Sequence, residues 1–405
     1  MSRRPADWDA VVVGAGPAGA LTALELARAG AAVLLLDRAA FPRWKVCGSC
    51  LSPGAQEVLA DAGLGPALRA LRPAPLHTLR LAGWGTRAHV PLGPSVAVSR
   101  AALDAAVARA AVEAGATFLA PARARLAGVE EEWRVLELEA EGRRNTVRAR
   151  LLVAADGVGS PLLAEALGSR APAPDPGARI GFGALFAAEI SAHEPSCEPS
   201  YEPGCEPSYE PGVIHMAVAA GGYVGAVRLE DGTLDVSAAL DPGDGPGVGA
   251  GGAVRPEARV ASILAEAGFP ALPAEPLAGW RGTPRLGRRV PTRGAHRLLA
   301  VGDAAGYVEP FTGEGMAWAL AGARALTPIA LEGIRAWRPG LVAAWDRAHD
   351  DTVGAAARLC RGVSRALRSP ALSRVGLHVV RHVPGVAAPF VHRAARAPGV
   401  PAGPA

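Results

Sequence analysis

"DAVVVGAGPAGALTALELARAGAAVLLLDR" (residues 9–38) sets out a strand, a glycine-rich turn, a helix, a second strand and an acid, in that order. Ala10–Val13 reads as a short buried strand. Pro17–Ala29 reads as a helix stopped by Gly30 at its C′ position, and Ala31–Leu36 as a second buried strand. Between strand and helix stands G-x-G-x-x-G. Gly14 permits the tight turn, Gly16 lets the backbone approach a pyrophosphate, and Gly19 lets the helix pack close to the strand. Pro17 and Ala18 open the helix, whose unpaired N–H groups and partial positive charge suit a phosphate. Asp37 follows Gly14 by 23 residues, where a carboxylate can accept both ribose hydroxyls of an adenosine, and Arg38 stands beside it. This order predicts a Rossmann-type dinucleotide-binding domain in an α/β protein.

The chain has 405 residues, enough for two or three packed lobes. Its net charge of +4 is mild, and Arg and Glu are mixed along most of it, so no nucleic-acid footprint is present. No apolar leader with a small-residue cleavage site precedes the first motif. The apolar run Ala10–Leu36 is interrupted by Glu25 and Arg28, which argues against a membrane span. Five cysteines, an odd number, suit a reducing cytoplasm with free thiols, and a cytoplasmic location is expected.

Two further motifs lie far downstream. "ARLLVAADGVGSPLL" (149–163) is an apolar strand ending in Asp156-Gly157. "HRLLAVGDAAGYVEPFTGEGMAWALAGARAL" (296–326) is a strand ending in Gly302-Asp303, then a loop with Pro310, then Gly313-Glu314-Gly315 opening a helix from Met316 to about Leu326. The trio GAGPAG, ADG and GDAAGYVEPFTGEGM resembles the FAD-dependent flavoproteins of the para-hydroxybenzoate hydroxylase and geranylgeranyl reductase type. The resemblance implies that Asp303 binds the ribityl chain of FAD. It also implies that Gly313, Gly315 and Met316 set a helix N-terminus beside the flavin N1–C2=O edge, where negative charge develops on reduction. Asp156 and Gly157 match the motif that serves FAD and NAD(P)H in the hydroxylases. The chain departs from that motif where Ser160 is followed by Pro161 and Leu163 stands in place of an Arg. The tryptophan-halogenase motif W-x-W-x-I-P is absent.

"RWKVCGSCLSP" (43–53) carries the only lysine of the chain, Lys45, and two cysteines, Cys47 and Cys50, in C-x-x-C spacing. A thioredoxin-like pair should open a helix in a small βαβ domain. This pair instead follows a Rossmann acid and precedes Pro53, and no second ligand pair completes a zinc site. The stretch resembles the F-P-R-x-K-x-C-G segment of the reductase-like and halogenase-like branches, through Phe41, Pro42, Arg43, Lys45, Cys47, Gly48, Leu51 and Pro53. The resemblance implies a flavin-contacting loop. Arg43 and Lys45 would hold the FAD pyrophosphate or the negative edge of the flavin. Cys47 is either a proton donor, since a nearby ammonium lowers a thiol pKa, or a small buried thiol under the ring. Cys47 and Lys45 are the candidate catalytic residues. In "VSRAALDAAVARAAVEAGATF" (98–118) Ser99 can cap a helix, and Arg100 and Asp104 share one face. Two readings of Arg100 stay open: a reach to the FAD, as in relatives, or a surface salt bridge.

The expected architecture is a discontinuous FAD domain (1–76, 98–171 and 279–334) and a β-sheet substrate lobe (77–97 and 172–278). C-terminal helices (335–397) form a cap, and a tail follows (398–405). Within the lobe, 221–240 reads as a hairpin turning at Asp231-Gly232, with Tyr223 and Arg228 as candidates to face the pocket. The repeat "EPSCEPSYEPGCEPSYEPG" (194–212) reads as a disordered acidic loop, because proline at that spacing forbids helix and central strand. A packed cap is favoured for the C-terminal helices over a subunit contact or a membrane surface.

The expected function is an NAD(P)H-dependent flavin monooxygenase acting on a small hydrophobic molecule of polyketide or aromatic type. The alternatives are a geranylgeranyl-reductase-like alkene reductase, whose Y-x-W-x-F-P substrate motif is not evident here, and a FAD-binding partner protein without turnover.

Overall fold

The computed structural model describes residues 6–187, 208–242, 255–309, 311, 313–383 and 385. The principal strands are β1 (Ala6–Val13), β2 (Val33–Leu36), β3 (Ala74–Gly83), β4 (Thr86–Ala97), β5 (Thr117–Leu119), β6 (Arg143–Ala154), β7 (Ile180–Phe186), β8 (Val213–Ala219), β9 (Gly222–Arg228), β10 (Leu234–Leu240), β11 (Pro276–Arg285) and β12 (Leu298–Ala300). The principal helices are α1 (Pro17–Arg28), α2 (Arg100–Glu113), α3 (Pro256–Ala267), α4 (Gly315–Arg335), α5 (Gly340–His349), α6 (Ala355–Ala366) and α7 (Pro370–His382).

The first sheet has a parallel core β5-β2-β1-β6-β12, with Val12 set between Leu35 and Val153, joined by antiparallel strands at Arg123–Val129, Arg134–Ala140 and Gly294–Ala295. Its central strands are buried on both faces, which is why they read as continuous apolar runs. Helix α1 packs between α2 and α4 on one face. Leu21, Leu24 and Leu26 of α1 are wholly buried there, each contributing about 1.5–3 kcal/mol. Gly30 closes α1 with φ of +85°, in the left-handed region open to glycine. A Cβ on Gly19 would stand 1.9 Å from the Gly14 carbonyl oxygen, so helix and strand meet this closely only because position 19 is bare.

The second sheet runs β11-β7-β10-β9-β8-β3-β4 and ends on the short strand Cys50–Leu51. Every pairing is antiparallel except β8 with β3. The hairpin β9–β10 turns as expected at Asp231-Gly232, where Asp231 Oδ1 accepts from the Thr233 amide at 2.9 Å. Helix α3 covers one face of this sheet, and α7 lies against β4 and β3. Helix α5 is tied to the first sheet by the buried Trp345, whose Nε1 donates to the Ala300 carbonyl at 2.8 Å.

Several boundaries differ from the sequence reading. The second sheet reaches past the expected edges at 76 and 278: β3 begins at Ala74 and β11 ends at Arg285. Strand pairing, not composition, sets those ends. Helix α4 runs to Arg335 rather than Leu326, because its apolar face continues over α1 and α5. The end of the Glu-Pro repeat is packed and not disordered. Tyr209 is 5% exposed, and its hydroxyl donates to the Pro270 carbonyl at 2.8 Å. The rest of that repeat up to residue 207, Pro310, and the expected tail lie outside the described residues.

Candidate active site

The glycine-rich turn between β1 and α1 is bare where a ligand would approach. A Cβ on Gly16 would stand 3.5 Å from Arg100 Nη2 and 3.9 Å from Arg43 Nη2, so two guanidinium groups face the turn at the α1 N-terminus. Both are held by a buried acid. Arg100 donates to Asp104 through Nε at 2.9 Å and Nη2 at 2.7 Å, and Arg43 Nη1 donates to Asp104 at 2.9 Å. Burial opposes the charge on Arg100, but Asp104 and the nearby Cys47 outweigh it and raise its pKa. Asp104 is fully buried and Arg100 is 5% exposed, so the surface-salt-bridge reading of this pair is corrected: tertiary packing of α2 on α1 buries it.

Asp37 does not line the cavity. Its Oδ2 accepts from the Ala15 amide at 3.0 Å and from Arg43, and its Oδ1 accepts from the Ala39 amide at 3.0 Å, which locks the turn to the end of β2. Arg38 is exposed beside it and also stays outside the cavity. Asp156 points away as well: it accepts from Ser160 Oγ at 2.6 Å and from the Leu162 amide, and so caps the helix that begins at Pro161. Gly14 fits tightly under Ala155, while Gly157 opens toward Lys45, whose Nζ would lie 3.6 Å from an added Cβ.

The loop after β2 forms one wall. Lys45 Nζ lies 3.9 Å from Asp303 Oδ2, and its side chain is 40% exposed because it opens onto the cavity. Burial within the protein body, then Arg100, lowers its pKa. Cys47 and Gly48 line the cavity with it. Cys50 is a different thiol: burial, then Cys47, pushes its pKa well up, and its Sγ donates to the Gly48 carbonyl. A thiol held protonated in this way is a poor nucleophile, which fits a packing role and not a dithiol redox pair.

On the opposite side, Gly302-Asp303 follows β12, and Gly313, Glu314, Gly315 and Met316 form the start of α4; all line the cavity. Gly313 has φ of +77°. Glu314 is 4% exposed, and burial pushes its carboxyl up to about 8. At neutral pH it is mostly uncharged, so it does not oppose an anion at this helix end.

Pro17, Ala18 and Gly19 border the same cavity, which holds about 620 Å³ and continues from this cradle into the second sheet. Its far walls are apolar: Leu79 and Leu81 of β3, Val90 and Leu92 of β4, Ile214, Met216 and Val218 of β8. Tyr223 enters from β9 with its ring edge-on to Phe311, whereas Arg228 turns away to the carbonyls of Tyr209 and Gly232. The outer wall is α7, through Leu372, Gly376, Leu377, Val379 and Val380. Of these, Leu372 and Val379 also face outward, at 58% and 39% exposure.

The sequence reading missed two polar groups. Asp235 in β10 accepts a hydrogen bond from Ser49, and an acid inside the apolar strand "LDVSAAL" (234–240) is the signal that would have flagged it. Glu309 is 4% exposed and accepts from Arg179 Nη1 at 2.9 Å, while its carbonyl accepts from Cys360 and Ser364 of α6. No sequence pattern marks that tie between the cap and the loop before α4. Among the described residues, no group of three or more His, Cys, Asp or Glu could hold a metal.

The bare turn facing two arginines fits a diphosphate, and the Lys45–Asp303 gate and the start of α4 fit a flavin. The fold and cradle thus define a flavoprotein of the Rossmann type. Residues 7–202 match the FAD binding domain family. A digeranylgeranylglycerophospholipid reductase of Methanopyrus kandleri is 30% identical over 339 residues, covering 81% of this chain and 78% of that protein. The chain belongs to the FAD-dependent oxidoreductase family that contains these reductases. A menaquinone reductase of Mycobacterium tuberculosis is 41% identical over 162 residues, which is 38% of this chain and 38% of that protein. The myxobacterial chondrochloren halogenase CndH shares the fold, with a TM-score of 0.73 at 18% identity over 94% of this chain and 90% of its own.

Proposed function

We propose that the protein is a flavin-dependent reductase that saturates a carbon–carbon double bond in a long apolar, isoprenoid-like substrate, with NAD(P)H as the electron donor. The observation that carries this reading is the continuity of the cavity. It begins at the flavin cradle and ends at α7 between apolar side chains that are also exposed outside. A narrow aromatic substrate needs no such exit; a chain that remains partly in a lipid phase does. Relatives at 41% identity over 162 residues and at 30% over 339 residues are named as reductases, which supports the same choice over the monooxygenase.

FAD, when bound, supplies the hydride. The chain supplies the rest. Gly16 with Arg43 and Arg100 binds the diphosphate, Asp303 and Lys45 orient the middle of the cofactor, and the α4 N-terminus favours negative charge at the ring. Leu79, Leu81, Ile214 and Met216 exclude water and hold the chain. Among the described residues no helix is long and apolar enough to cross a membrane. Helix α7 and Val383 just after it instead present Leu372, Val375, Val379 and Val383 outward, flanked by Arg374 and Arg381, as a face for an anionic lipid surface.

The test is anaerobic turnover of the FAD-loaded protein, with NAD(P)H as donor, on a geranylgeranyl lipid and on menaquinone, the latter product reoxidised to the quinone before its mass is read. The expected product is heavier by two hydrogens. A product formed only in air and carrying one added oxygen atom overturns the reductase reading in favour of a monooxygenase.

A further inference from the structure

The floor of the cavity hides a buried acid that no part of the cofactor cradle uses. Asp235 sits in β10 with Leu185 and Val227 as its neighbours on the flanking strands, and it is 2% exposed. By strand alternation its side chain shares a face with Ser237 and Ala239, which line the cavity. Between Asp235 and the open space stands Ser49. Ser49 lines the cavity, is itself 2% exposed, and donates its hydroxyl to Asp235 Oδ2. Its backbone is left-handed, with φ of +52°, and its carbonyl accepts from the Val98 amide at 3.0 Å. The other oxygen, Asp235 Oδ1, is buried without a hydrogen-bond partner among the described residues.

This is an unusual place for a carboxylate. The cation acting on it is Arg100, whose fork is already engaged by Asp104. Glu230 acts in the opposite sense, and the thiols of Cys50 and Cys47 lie in the same pocket wall. No ion pair holds Asp235 charged among the described residues. A buried carboxyl with one accepted hydrogen bond and no counter-ion keeps its proton until the surroundings become basic. Burial accordingly pushes it up to about 7, against the smaller lowering effects of Ser49 and Arg100.

We propose that Ser49 is the proton donor of the cavity and that Asp235, acting through Ser49, is the positioning residue that holds and replenishes that proton. In the protonated state the Asp235 O–H donates to Ser49 Oγ, and the Ser49 O–H is free to turn to the cavity. In transfer, the Ser49 O–H bond breaks toward the substrate carbon while the Asp235 O–H bond breaks toward Ser49 Oγ. Ser49 ends neutral, Asp235 ends as the carboxylate, and water re-protonates it. The use of this proton rests on the reductase reading, in which each double bond takes up one proton for each hydride. The pair itself does not.

The test has two arms. Infrared titration of the FAD-loaded protein should show a protonated-carboxyl band that disappears with a midpoint near pH 7. Asp235→Asn should remove the band, and Ser49→Ala should move its midpoint upward. In the second arm, double-bond reduction should fall above pH 7. Ser49→Ala should slow it by about a hundredfold, and Ser49→Thr should restore it. A band that titrates in the ordinary carboxylate range overturns the proposal, and so does an unchanged pH profile in Ser49→Ala. If no double bond is reduced but the band titrates near pH 7, the pair stands and the substrate reading falls. If reduction proceeds without such a band, the pair alone falls.

Discussion

Lys45 Nζ lies 3.9 Å from Asp303 Oδ2, and this contact joins the loop after β2 to the loop after β12 across the mouth of the flavin cradle. Lys45→Met should therefore weaken FAD binding by about ten- to a hundredfold, the scale of one charge-assisted hydrogen bond. Quenching of free FAD fluorescence on titration with protein reads this directly. Lys45→Arg should not restore affinity, because a planar guanidinium does not reproduce the compact ammonium beside Asp303.

Asp104 is the shared partner of Arg43 and Arg100. Asp104→Ala leaves the buried Arg100 without its acid and Arg43 with Asp37 alone. The expected loss is about 3–5 kcal/mol in urea unfolding. Asp104→Asn should also destabilise, since it keeps the shape and removes the charge.

Gly19→Ala should lower the melting temperature and abolish FAD binding together. The added Cβ meets backbone at 1.9 Å and cannot be accommodated by side-chain rotation. Gly340→Ala, where nothing lies within 4 Å, is the matched control and should leave both unchanged.

Two buried histidines should withdraw stability on the acid side. Burial, then Arg80, holds His215 down at about 4; burial, then Arg293, holds His349 down at about 3. Both folded values lie below the ordinary 6.5, so the unfolded chain takes up the protons first. The stability these neutral rings confer is complete above pH 6.5 and is lost as the pH drops toward 4. His215→Phe keeps the edge-on contacts to Tyr209 and Phe269 and should flatten this slope by about 3 kcal/mol, read as melting temperature against pH.

Leu372→Asp with Val379→Asp should abolish co-sedimentation with anionic vesicles and leave the FAD absorbance unchanged. Retained vesicle binding would remove α7 as the lipid face.

How far the sequence could be read follows from the range of the interactions. Gly14, Gly16, Gly19 and the start of α4 were legible because each performs its task within a few residues of backbone. Lys45 and Cys47 stand in one loop that the motif marks, and both line the cavity. The spacing points Asp37 at a ribose; in the fold its oxygens also accept from the Ala15 and Ala39 amides and from Arg43, contacts that no local pattern announces. Ser49 and Asp235 are separated by 186 positions, and only the register of the second sheet brings them together. Tyr209 was hidden by its repeat, whose composition speaks for a solvated loop while one aromatic ring finds a place under Pro270.

The cavity takes its walls from the whole described length of the chain, from Gly16 to Val380. Synthesis therefore completes it in a fixed sequence. The cradle is finished when α4 leaves the ribosome, and the apolar wall at α7 arrives afterwards. A nascent chain can trap its flavin first, while the strands that will hold the substrate still face water.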